Sequence, residues 1–200
     1  MSIYLLKSRF QTCLRPLVAW LYQHKVTANQ VTLLAMIISA LLGAFLCLAS
    51  VSQAWFLLVP VWMFLRMAFN AIDGMLAREF GQQSPLGAYL NELSDVLADA
   101  ALLLPFVFIP LVDPVWVLAI IFFATLTEMA GVLGLMVGAS RRYDGPMGKS
   151  DRAFVFGLLA LLWGLDVISE PWFNAILIFT LLLLLPTLVN RVRGGLAELK

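Results

Sequence analysis

Apolar residues run through this chain in long stretches broken by short polar clusters. Six stretches approach the roughly 20 residues that a helix needs to cross the hydrocarbon of a bilayer: 29–49, 54–80, 86–109, 114–138, 151–168 and 171–193. Short breaks separate most of them, at 50–53, 82–85, 110–114 and 169–171, and a longer polar loop, 141–149, divides the fourth from the fifth. Pro171 suits a helix start, and Thr27 suits the N-cap of the first span. Residues 3–24 follow another pattern: Leu5, Leu6, Phe10, Leu14, Leu17 and Leu21 recur at helical spacing while Lys7, Arg9 and Arg15 supply charge. This reads as an amphipathic helix on the membrane surface, the alternative being the start of an ordinary soluble helix. The pattern predicts one all-α, polytopic membrane domain, with a surface helix over 1–26 and a six-helix transmembrane bundle over 27–200.

Composition agrees. Of 200 residues 62% are hydrophobic and 12% charged, and the mean hydropathy of +0.94 exceeds what a soluble domain carries. A formal net charge of +1 provides no broad basic surface, so nucleic acid is excluded as a partner. Cys13 and Cys47 are isolated and form no metal or disulfide pattern. No cleavable signal peptide is expected, because Lys7, Arg9 and Arg15 interrupt the first apolar run. Basic residues gather before span one, at Arg78, between spans four and five (Arg141, Arg142, Lys149, Arg152) and at Arg191, Arg193 and Lys200. The opposite connections carry only Asp113, Asp166 and Glu170 as charges. The positive-inside rule then puts both termini in the cytoplasm.

Chemistry concentrates in spans two and three. Asn70 and Asp73 are three apart, and Asn91, Asp95 and Asp99 are four apart, so each set shares one helix face. At 1.5 Å per residue, Asn70 lies about 24 Å along span two and Asp95 about 14 Å along the returning span three, so both sets meet in the cytoplasmic half. Ionisable groups inside a bilayer are costly and mark function by default. Their oxygens suit Mg²⁺, Mn²⁺ or Ca²⁺, and no His or Cys set suits zinc. Gly74 and Gly87 leave room for a phosphate ester near the backbone, and Arg78 suits a phosphate.

These residues resemble the signature of the CDP-alcohol phosphatidyltransferases, D-x2-D-G-x2-A-R-x8-G-x3-D-x3-D. Asp73-Gly74, Ala77-Arg78, Gly87 and Asp95 match it, while Asn70 and Asn91 stand at its first and third aspartates. The segment Thr27-Ala28-Asn29-Gln30-Val31-Thr32 looks like the family's nucleotide-side entry to span one, and the chain is similar to a bacterial inner-membrane branch of the family. The resemblance implies transfer of a phosphatidyl group from CDP-diacylglycerol to an alcohol with release of CMP. It implies Asp95 as catalytic base, and Asp73, Asn70, Asn91 and Asp95 as ligands of Mg²⁺ or Mn²⁺. Asn29, Thr32, Gly74, Ala77, Arg78 and Gly87 would bind the CDP moiety, and a homodimer in the inner membrane is expected. Neutral asparagines remove two negative charges from the metal site, for which Glu92 and Asp99 are nearby candidates to compensate.

Further polar positions carry two readings. Lys149, Arg152, Arg191 and Arg142 suit an acceptor bearing its own phosphate, such as glycerol 3-phosphate or an inositol phosphate, or else they only set topology and touch anionic lipid. Glu128 in span four needs a partner, Arg66 or Arg152. His24 is too isolated for a metal role. Gly131 and Gly134 suggest close helix packing. Beside the transferase stand two other functions. One is a catalytically weakened CDP-lipid-binding protein. The other is a cation transporter, which has no use for the glycines and Arg78.

Overall fold

The computed structural model describes residues 3–48 and 52–199, with side chains from Phe10 onward. The Leu5, Leu6, Lys7 and Arg9 side chains of the expected surface helix lie outside the described residues. Every regular element among the described residues is helical: α1 (Ile3–Gln23), α2 (Ala28–Leu48), α3 (Leu58–Glu79), α4 (Pro85–Leu103), α5 (Pro114–Met136), α6 (Lys149–Gly164) and α7 (Glu170–Glu198). A 3₁₀ turn at Gln53–Leu57 leads into α3, and another at Leu104–Phe108 follows α4.

Local chemistry sets these boundaries. Lys25, at φ 60°, turns the chain out of α1. Thr27 then opens α2 with a capping box: its hydroxyl accepts from the Gln30 N–H at 3.2 Å, and the Gln30 side-chain oxygen accepts from the Thr27 N–H at 2.9 Å. Ser84 and Asp113 cap α4 and α5, each followed by proline at the first helical position. The third apolar stretch does not continue as α-helix to 109, because Pro105 has no N–H to return to the Ala101 carbonyl. Gly43 of α2 lies against that same carbonyl, so closely that a Cβ would collide with it. This brings the α2 and α4 backbones together.

Four segments are long and apolar enough to cross a membrane: Ala28–Leu48, Gln53–Glu79, Pro114–Met136 and Glu170–Glu198. By contrast α6, with 16 residues, spans about 24 Å, and α4 carries Glu92, Asp95 and Asp99. Phe106 centres the main core, edge-on to Phe56 at 5.5 Å and Phe156 at 5.0 Å. Away from it, Val18 of α1 packs with Val31 of α2 and with Ile72, Met75 and Leu76 of α3. Arg15 of α1 also holds Glu79 through two hydrogen bonds of 3.1 and 3.2 Å. The N-terminal helix is thereby fixed to the end of α3 that carries the polar motif.

Candidate functional site

The α2 start, the α3 C-terminal half and the α4 N-terminal half converge because the α3–α4 connection is tied to α2. Gln82 accepts from the Ala28 N–H at 2.7 Å and donates to the Val26 carbonyl at 3.4 Å. This tie sets Asn29 beside Gly87, where a Cβ would come within 2.9 Å of the Asn29 side-chain oxygen. It also sets Thr32 to donate its hydroxyl proton to Asp73 Oδ2 at 2.7 Å. On α3, the exposed Arg78 folds back one turn over Gly74, where a Cβ would lie 2.7 Å from its guanidinium. Gly74 therefore lets a cation rest on the bare helix surface next to Asp73.

Arg66, Asn70 and Asp73 occupy one face of α3 at four- and three-residue intervals. Across from them, Asp95 and Asp99 occupy one face of α4. Arg66, 4% exposed, donates to Asp99 Oδ1 at 2.5 Å and to the Asp95 carbonyl at 3.1 Å, and it lies 3.4 Å from Asp95 Oδ1. The Lys149 ammonium, at the start of α6, also sits on Asp95 Oδ1. Both cations take the same oxygen.

From Asp99 the ion pairs continue inward. Arg152, 2% exposed, joins Asp99 at 2.9 Å to Glu128 at 2.9 Å. Glu128, 7% exposed, also meets Arg141 at 3.2 Å and Arg191 at 3.2 Å. Arg141 is forked onto Glu92 at 2.5 and 2.6 Å, and Arg191 donates to the Thr127 carbonyl. Low dielectric strengthens such pairs, but each unpaired ion there would be expensive. Among the described residues three guanidinium nitrogens are buried without a partner: Arg141 Nη1, Arg152 Nε and Arg191 Nε.

The expected site residues thus fall into two groups. Asp73, Asp95, Asn29, Thr32, Gly74, Ala77, Arg78 and Gly87 lie on the α2–α3–α4 junction, with Asn70 half-buried and Asn91 exposed on the same helices. Arg152 and Arg191 belong to the Glu128 cluster, Lys149 lies on Asp95, and Arg142 is elsewhere. Arg142 grips Asp144 at 2.8 and 3.0 Å and Glu198 at 2.6 Å, which closes the α5–α6 loop on the end of α7. The Arg142 guanidinium holds the Asp144 carboxyl below the usual carboxylate range.

Two expectations are corrected and one is narrowed. Glu92 and Asp99 are not available to replace the missing acids, because Arg141 takes the first and Arg66 with Arg152 takes the second. Of the two partners expected for Glu128, Arg152 is the one it meets, while Arg66 reaches α4. Gly131 and Gly134 admit the backbone of the α5–α6 loop: a Cβ at either would come within 2.6 Å of the Arg142 carbonyl or 2.8 Å of the Ser140 carbonyl. Arg66 and Arg141 went unrecognised as site residues in the sequence. For Arg66 a signal existed, its position one turn before Asn70 on the acidic face. Arg141 carried none, since its charge is also what topology requires of that loop.

A divalent cation fits part of this donor set. Among the described residues Asn70 and Asn91 have no side-chain hydrogen-bond partner, and their amide oxygens, like the carboxylates of Asp73 and Asp95, are hard donors suited to Mg²⁺ or Mn²⁺. Among the described residues, however, no group of three or more acidic, histidine or cysteine side chains converges on one point.

A family model described as CDP-alcohol phosphatidyltransferase matches residues 25–189. The inner membrane protein YnbA of Escherichia coli K12 is 48% identical over 200 residues, covering 98% of this chain and 97% of that protein. The fold is similar to that of Mycobacterium tuberculosis phosphatidylinositol phosphate synthase (PgsA1) with CDP-DAG bound, at a TM-score of 0.72 and 19% identity, covering 90% of this chain and 92% of the other. It is also similar to PgsA1 in complex with manganese and citrate, at a TM-score of 0.72 and 18% identity, over 90% and 87% of the two chains.

Proposed function

The chain belongs to the CDP-alcohol phosphatidyltransferase family, and from that premise we propose that it transfers the phosphatidyl group of CDP-diacylglycerol to an alcohol and releases CMP. The observation that carries this reading is that Asp73, held by Thr32 beside Gly74 and Arg78, shares its α3 face with Arg66, which bonds Asp95 of α4. The CDP-DAG held by the similarly folded PgsA1 supports the same donor.

In this reading the acceptor hydroxyl oxygen attacks the phosphatidyl phosphorus, and the phosphoanhydride bond to CMP breaks. The hydroxyl proton passes to Asp95, whose Oδ2 is the oxygen not taken by Lys149 and Arg66. Arg78 binds pyrophosphate oxygens, and Gly74 and Gly87 let the ester approach the helix backbones. Asn29, Thr32 and Ala77 shape the CDP pocket. Mg²⁺ or Mn²⁺ held by Asp73, Asp95, Asn70 and Asn91 would neutralise pyrophosphate charge and stabilise the CMP leaving group.

For the acceptor, Lys149, Arg152, Arg191 and Arg142 favour an alcohol bearing a phosphate, such as glycerol 3-phosphate or an inositol phosphate. The unpartnered nitrogens on Arg141, Arg152 and Arg191 support this, since buried donors call for oxygen partners. Arg142 would have to leave Asp144 and Glu198 to join them. The protein acts in this reading as an inner-membrane homodimer with six spans, α4 and α6 completing the four apolar ones. Its surface helix, both termini and its site face the cytoplasm, as the distribution of Lys and Arg requires.

Purified protein given CDP-diacylglycerol, Mg²⁺ or Mn²⁺ and a panel of alcohols tests this by CMP release. Asp95→Asn should lower the rate about 10²–10⁴-fold, the usual contribution of general base catalysis. The neutral Asn70 and Asn91 favour a second reading, a CDP-lipid-binding protein of weakened activity. CDP-diacylglycerol bound without CMP release from any alcohol selects it.

A further inference from the structure

We propose that this site takes one divalent cation and that the Lys149 ammonium supplies the second positive charge from within the protein. The inference rests on the transferase reading for its choice of Asp73 and Asp95 as cation ligands. Three observations lead to it. First, asparagine at 70 and 91 leaves Asp73 and Asp95 as the only carboxylates of the signature. Second, the other two acids within reach, Glu92 and Asp99, are already bound by Arg141, Arg66 and Arg152. Third, Lys149 lies on Asp95 Oδ1 and so takes one of the oxygens that Asp95 would offer a cation.

The placement of Lys149 is built in. Asp151, in the first turn of α6, accepts from the Gly148 N–H at 2.8 Å and fixes the helix start. Arg152, one turn further into the fold, is anchored between Asp99 and Glu128. Lys149 is therefore delivered to α4 by a helix end that is fixed on both sides. Its side chain remains about a quarter exposed.

Charge decides the number of cations. Asp73, Asp95, Lys149 and the Arg78 guanidinium over Gly74 carry no net formal charge together. One divalent cation brings the set to +2, which a pyrophosphate dianion balances. A second brings it to +4, and repulsion between cations at these partly buried groups is several-fold stronger than in water. Asp99 does not relieve that charge, because Arg66 and Arg152 already hold it.

The test counts Mn²⁺ bound to the purified full-length protein in detergent, by loss of the free-ion electron paramagnetic resonance signal. CMP release is followed on the same samples. Wild type should bind one Mn²⁺ per chain. Lys149→Met should tighten that site about tenfold or more, and Asn70→Asp, Asn91→Asp and Lys149→Met combined should bind two. Two ions per wild-type chain, or none, overturns the proposal whether or not the variants fold. An unchanged affinity in a folded Lys149→Met protein also overturns it. One ion per chain with no CMP released from any alcohol leaves the cation count standing and removes the transferase reading. CMP release with two ions does the reverse.

Discussion

Replacing Glu128 with glutamine should be the most damaging single change of one charge in this molecule. Glu128 faces Arg141, Arg152 and Arg191 at 3.2, 2.9 and 3.2 Å in a setting that is 7% exposed. Removing one partner of a buried ion pair costs about 3–5 kcal/mol, since the remaining charge stays buried. Here the loss is unequal. Arg152 keeps Asp99 and Arg141 keeps Glu92, whereas Arg191 is left with the Thr127 carbonyl and no counter-charge. Most of the cost therefore falls on Arg191. For a chain of this length about 1 kcal/mol corresponds to roughly 2–4 °C, so thermal unfolding in detergent should fall by about 6–20 °C. Arg191→Met added to Glu128→Gln should restore a large part of the loss, with a coupling of about 1–3 kcal/mol in the double-mutant cycle. A Glu128→Gln protein that melts with wild type, or a double variant less stable than the single one, refutes the reasoning.

Two further changes probe other parts of the fold. Gly43→Ala sets a methyl group against the Ala101 carbonyl, which is backbone and cannot swing aside. Overpacking of this kind costs about 1–3 kcal/mol, read as a lower melting temperature, while Gly81→Ala, which meets no atom within 4 Å, should lose only what its φ of 66° imposes. Acidification should open the α5–α6 loop. Arg142 lowers the Asp144 pKa, so the contribution of that pair is complete above the unfolded value near 4 and is lost as pH falls through the lower, folded value. Hydrogen exchange of residues 140–146 should rise only below about pH 4; a rise at pH 6 excludes Asp144 as its cause.

The helices and the faces that carry Asp73 and Asp95 were legible in the sequence because they rest on local spacing. Thr27 and Gln30 are three apart and form their cap, and Asp73 and Asp95 lie on the faces that helical periodicity assigns. Less local features were not legible. Whether Arg66 reaches Asp99 or Glu128 depends on how α3 is rotated against α4 and α5, and a long guanidinium serves either. Gly131 and Gly134 looked like a helix-packing stripe, yet it is the returning loop that needs the space. The 3₁₀ turn after α4 could have been read from Pro105, but an apolar run to 109 masked it.

The ion pairs of α4 also set a timetable for synthesis. Glu92 and Asp99 find Arg141 and Arg152 only 49 and 53 positions later in the chain. At about 5–20 residues per second that interval lasts roughly 3–10 s. Over this time Asp99 has Arg66 from the preceding helix, and Glu92 has no counter-charge at all. The α4 segment leaves the ribosome before the cations that neutralise it exist, so its final depth is settled only when the start of α6 arrives. Stalling translation between residues 103 and 149 should therefore trap α4 near the membrane surface, with the two apolar helices before it, α2 and α3, already in place.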